Sequence, residues 1–355
     1  MKNVNVNVIE LNHSRPSNKH PFLSMEILKT ILCFLILLYH CFNQDLIDNK
    51  IIDFCVQAAP FYFPTLFLFH FYFSYLTFAS RNLAKIKHRL MRLFIPYIVW
   101  PLIFWIRKVY LNNERHKVLN MDEEYKNIIS QLIIGRGLYF IFWFQFNLLI
   151  ITIIFSIVAL IAKRKSLYVF QVLFIISYIL EYSGYLEKNL FNEYSEDIKR
   201  SVGRTVKMLV FSITGFILAS IKAMHILKVY RTKTIFISLV ALIFIVNYQV
   251  YFSKRYYLEG FFIDLGAICM FTFFYMLPLD KITNINAMHL IKQMTTYTAG
   301  VYCLHLKVLD IFENNILIFR QKKFRGCILN YLICYLICFV GVKIFGRTRL
   351  RYLFM

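Results

Sequence analysis

The chain has 355 residues and a formal net charge of +22; 59% of its residues are hydrophobic, 18% aromatic and only 17% charged. Soluble domains run at about 25% charged and about 45–50% apolar, so this balance excludes a water-soluble fold. Lys and Arg fall in short clusters between apolar runs, as membrane proteins place them; membrane lipids are therefore the expected surroundings, and no nucleic acid is expected as a partner.

In chain order, residues 1–24 are mostly polar and read as a cytoplasmic tail, with no secretory signal; residues 25–355 read as a single membrane-embedded domain. A helix needs about 20 apolar residues to cross the hydrocarbon core. Ten segments approach that length, near 25–43, 60–79, 91–107, 138–162, 167–183, 206–224, 234–252, 260–279, 298–318 and 327–346. The expected fold is all-α, a polytopic transmembrane helix bundle of about ten spans. Pro60 and Pro64 threaten the second segment, and the ninth contains Lys307, Asp310 and Glu313. The basic residues of short loops favour both termini inside, although Arg320, Lys322, Lys323 and Arg325 fall on the wrong side for that rule. The eight cysteines form no CxxC pair, so neither a disulfide framework nor a metal site is expected.

Ionisable residues inside a span are costly to bury and point to function. The first segment holds Glu26, Lys29 and His40. Eleven helical steps bring Lys29 and His40 back to within about 20° of one face, roughly 16 Å apart along the axis. Glu26 stands three residues before Lys29, close enough to pair with it. Separately, Lys29 fits a snorkelling anchor and His40 an interhelical hydrogen bond. On one face they form a polar line, with His40 able to take a hydroxyl proton as a general base. Arg89 and Arg92, just before Leu93 and Pro96, place two guanidiniums at i and i+3, which suits phosphate as well as an ordinary membrane anchor. His305 lies in the ninth segment, where an interhelical role is the ordinary one.

Together these residues resemble the membrane acyltransferase-3 family, which O-acylates surface sugars and lipids. The family's Arg, ten residues, His is matched by Lys29 and His40; its RxxR leading to a Pro-containing helix by Arg89, Arg92 and Pro96; its Trp-Phe by Trp143-Phe144; its Gly-x-Tyr-x-x-His by Gly300, Tyr302 and His305. Two departures stand out. Ser74-Tyr75 lacks the family's Gly, and Lys29 replaces an Arg, which keeps the charge but loses the planar fork.

The resemblance implies transfer of an acyl group, expected to be acetyl, from acetyl-CoA to a hydroxyl of a surface glycan or lipid-linked glycan, without a metal. It implies Arg89 and Arg92 on the CoA phosphates and His40 as base. Lys29 would lie near the donor with Glu26 orienting it, and Tyr302, His305 and Trp143 would support the site. The implied location is a bacterial plasma membrane, crossed many times. A lipid-linked glycan polymerase or flippase is the alternative, using basic outer loops near 108–127 and 320–325. A transporter would call for internal repeats, which the sequence lacks.

Overall fold

A computed structural model of the chain describes residues 23–41, 59–114, 121–135, 142–183, 196–252, 259–279, 285–315 and 324–345. Residues 1–22 of the expected polar tail (1–24) lie outside these, and its last two residues begin the first helix. The helices are α1 (Leu23–Cys41), α2 (Tyr62–Ala79), α3 (Leu83–Glu114), α4 (Met121–Ile134), α5 (Phe142–Ile161) and α6 (Ser166–Tyr182). They continue with α7 (Glu196–Ser220), α8 (Ala223–Lys228), α9 (Arg231–Phe252), α10 (Glu259–Met276), α11 (Ile285–Asn315) and α12 (Phe324–Phe345). No strand occurs among the described residues.

Each of the ten apolar segments overlaps one of these helices, but length and composition narrow the set. Among the described residues, Leu83–Arg107, Phe142–Ile161, Glu196–Ser220 and Arg231–Tyr248 are long and apolar enough to cross a membrane, and Ser166–Tyr182, Phe261–Met276 and Leu332–Ile344 are shorter apolar helices. Four of the described helices meet this measure, which does not by itself establish the expected count of about ten. Tyr, His, Ser and Thr dilute the hydropathy of helices such as α2 and the first half of α11.

The two prolines of the second segment do not break it. A 3-10 turn over Ala59–Phe61 takes in Pro60, and Pro64 falls in the first turn of α2, where its missing N–H would have had no partner within the helix. The ninth segment is part of one helix of 31 residues; the side chains of Lys307, Asp310 and Glu313 lie outside the described residues.

α2 packs closely on α7, α9 on α10, and α11 on both α1 and α12. At the α2–α7 contact a Cβ on Gly215 would run into the carbonyl oxygen of Leu68, so the close approach needs a glycine. A ladder of rings closes one end of the bundle: Phe78–Phe155 at 5.4 Å, Phe155–Phe170 at 4.3 Å and Phe170–Phe216 at 4.6 Å. These residues lie near the C-terminal ends of α2, α5 and α7 and near the start of α6, so all four ends meet there.

The turns that leave those three C-termini share a feature. Arg81, Lys163 and Lys222 are the non-glycine residues with positive φ among the described residues, at 51°, 48° and 52°. Glycine ordinarily takes this left-handed position after a helix. Here a cation stands at each, beside the negative end of a helix macrodipole and at a membrane boundary, where charge is favoured.

Candidate active site

One cavity of about 660 Å³ opens among α1, α2, α3, α5 and α11, within the range of small-ligand sites. α3 supplies its basic wall. Asn82 caps the helix, its side-chain oxygen accepting the Lys85 backbone N–H at 3.1 Å. Lys85, His88, Arg89, Arg92, Leu93 and Pro96 all line the cavity. Their spacing (i, i+3, i+4, i+7, i+8, i+11) is that of a single helix face. Pro96 carries no N–H for the Arg92 carbonyl, and next to that break Gln145 of α5 donates to the Leu93 carbonyl at 3.3 Å.

α1 presents Lys29, Cys33 and Ile36 to the cavity, again one face. Hydroxyl groups join α1 to α11. Thr30 and Thr295 pair at 2.9 Å, the Thr295 hydroxyl donates to the Glu26 carbonyl at 3.1 Å, and Cys33 Sγ donates to the Thr298 carbonyl at 3.6 Å. The Lys29 ammonium donates to the Thr295 carbonyl at 3.2 Å. No ion pair joins Glu26 to Lys29 among the described residues; the carboxylate acts on the ammonium only through space. α1 runs through position 40, but the His40 side chain lies outside the described residues.

α11 contributes Thr298, Tyr302 and Cys303, and α5 contributes Phe144, Gln145 and Leu148. Phe144 packs edge-on against Tyr302 at 5.4 Å. Trp143, its neighbour in sequence, is not part of the lining. It rests on Phe63 at 4.8 Å, with the Arg204 guanidinium 5.2 Å from its ring centre. His305 is buried outside the lining. Its Nδ1 bonds the Tyr302 carbonyl at 2.6 Å, and its own carbonyl accepts from Cys334 of α12 at 3.4 Å.

The structure thus brings Lys29, Arg89, Arg92 and Tyr302 to one cavity, places Trp143, His305 and Glu26 around it, and adds a residue that the sequence reading passed over. His70 of α2 lines the cavity with Leu66 and Phe69. Its Nε2 is buried without a hydrogen-bond partner among the described residues, and so are Nε and Nη2 of Arg89. Arg89 is held from its apolar side, its guanidinium carbon 5.5 Å from the Phe71 ring centre and 5.4 Å from that of Phe78. No Asp or Glu is among the described lining residues. A cavity lined by several cations, with unpartnered N–H groups in its wall and no carboxylate among the described lining residues, suits an anion.

No curated protein and no solved structure matches the chain. A family model described as an acyltransferase domain matches residues 22–353, nearly the whole chain, with every one of these cavity residues inside the match. The chain belongs to the acyltransferase 3 family and is a membrane acyltransferase.

Proposed function

We propose that the protein moves an acetyl group from acetyl-CoA to a hydroxyl of a surface glycan or lipid-linked glycan, as a multi-pass protein of about ten spans in a bacterial plasma membrane. The observation that carries the donor side is the cavity lined by Lys29, Lys85, Arg89 and Arg92, with no carboxylate among its described lining residues. Lys85 is exposed and lines it near the start of α3, so the cavity reaches the end of the bundle that carries Arg81, Lys163 and Lys222. That basic end is the cytoplasmic one by the positive-inside rule, the side on which acyl-CoA is made available.

In this reading Arg89 and Arg92 hold phosphate groups of the donor, with the Arg89 guanidinium held against Phe71 and Phe78. The Thr295 carbonyl fixes Lys29 against α11, the alignment first assigned to Glu26. Acetyl-CoA supplies the thioester whose carbon–sulfur bond breaks as the acceptor oxygen bonds the acyl carbon. His40, about 16 Å farther along the same helix face, takes the hydroxyl proton, which leaves on the sulfur.

Comparing surface glycan from cells with and without the gene tests this reading. Loss of an O-acetyl ester is the expected result; unchanged ester content with altered chain length would point to a polymerase or flippase.

A further inference from the structure

We infer that His70 is a donor-binding residue of this chain, whose Nε2–H completes with Arg89 a cradle for a phosphate group of the acyl donor. The inference rests on the anionic-donor reading above and adds a residue to it. Three buried nitrogens, His70 Nε2 and Arg89 Nε and Nη2, have no hydrogen-bond partner among the described residues, and both residues line the same cavity. Leaving a buried donor unpaired is costly, and native proteins keep few such groups without a ligand or water to satisfy them. The charges of Arg89, Lys29 and Arg92 all act on the His70 ring, and all three cations line the same cavity as His70. A tetrahedral oxyanion offers several acceptors to convergent donors, and the guanidinium fork fits it in bidentate fashion.

Packing alone gives no reason for a histidine here. Position 70 sits in the run Phe67-Leu68-Phe69-His70-Phe71, and its ring meets the Phe71 ring edge-on at 5.6 Å, a contact a phenylalanine would make equally well. The polar neighbour on its own helix, the Ser74 hydroxyl, bonds the His70 backbone carbonyl at 2.6 Å, which is independent of the side chain.

The test uses the purified full-length protein in lipid nanodiscs. CoA and inorganic pyrophosphate binding are measured by calorimetry, and acetyl-CoA turnover by label transfer, for wild type, His70→Phe and His70→Gln. Phenylalanine suits the aromatic run and keeps the ring packing, while glutamine keeps an N–H donor. In His70→Phe, the Kd for CoA and the KM for acetyl-CoA should rise about tenfold with kcat within about twofold, the pattern of lost ground-state binding. His70→Gln should recover most of the affinity, and pyrophosphate should bind more weakly to the Phe variant. Unchanged CoA binding in His70→Phe, or a fall in kcat with KM intact, overturns the inference while leaving the donor reading standing. A wild-type protein that binds neither CoA nor pyrophosphate overturns both.

Discussion

The Lys29 ammonium donates to the backbone carbonyl of Thr295, 3.2 Å away and 266 residues later in the chain. This bond ties the first helix to the eleventh at the edge of the cavity, and the Thr295 hydroxyl adds a second tie through the Glu26 carbonyl and Thr30. The two ties are separable. Thr295→Val removes the hydroxyl but keeps the backbone carbonyl that Lys29 uses. It should lower stability by about 1 kcal/mol, in keeping with interhelical hydrogen bonds in membranes, and leave kcat nearly unchanged. Lys29→Met keeps the helix contact and removes the charge, and should cut acyl transfer more than about tenfold with little change in thermal stability. Thermal unfolding in detergent beside an activity assay checks both; a reversed pattern would show the Lys29–Thr295 bond to be structural only.

Arg89 lies against Phe71 and Phe78, lines the cavity, and has two buried nitrogens with no hydrogen-bond partner among the described residues. Arg89→Lys keeps the charge but loses the fork and its stacking. It should weaken CoA binding by about tenfold, and Arg89→Gln by more. Equal affinity in Arg89→Lys and wild type, measured by calorimetry, would mean that the planar fork contributes nothing.

Two helix glycines make opposite predictions. An added Cβ at Gly215 meets the backbone of Leu68, whereas one at Gly203, in the same helix, meets nothing within 4 Å. Gly215→Ala should destabilise the α2–α7 contact by about 1–3 kcal/mol, and Gly203→Ala should stabilise α7 by about 0.5–1 kcal/mol. Melting temperatures moving the same way in both variants would contradict this account of the α2–α7 contact.

The three left-handed cations are strained for a residue with a side chain. Lys222→Gly relieves that strain at the turn between α7 and α8 and should raise stability by about 1 kcal/mol. The same change removes a charge from the basic end, so cysteine-accessibility mapping of the turn should show a larger misoriented fraction. A lower melting temperature would show that the Lys222 side chain makes contacts worth more than the strain.

Much of the cavity was legible in the sequence, for two physical reasons. A charged residue in an apolar run is conspicuous, which singled out Lys29, and helical periodicity put Arg89, Arg92 and Pro96 on one face. The family resemblance then linked those helices to Tyr302, and the Thr30–Thr295 pair is the contact that brings α1 and α11 together. His70 was harder to see. It stands alone in a phenylalanine-rich stretch with no motif around it, and it matters only because α2 and α3 pack so that His70 and Arg89 line one cavity. Lys29 bonds a backbone carbonyl on another helix, a partner that spacing along α1 cannot reveal, while Glu26 acts on it through space. In Trp143-Phe144 the adjacent phenylalanine lines the cavity, since neighbouring residues on a helix point about 100° apart. Pro64 looked like a breaker because its place relative to the helix start is set by the turn at Ala59–Phe61.

The central claim is that the cation-lined cavity takes an acyl-CoA donor for transfer to a glycan hydroxyl. Membranes containing the protein or its Arg89→Gln variant, incubated with acetyl-labelled CoA and then extracted for glycan, test it most directly. The account predicts alkali-labile label in glycan with wild type and a fall of more than about tenfold with the variant at equal protein level. Equal labelling by the two proteins, or none by wild type with its acceptor present, would contradict it.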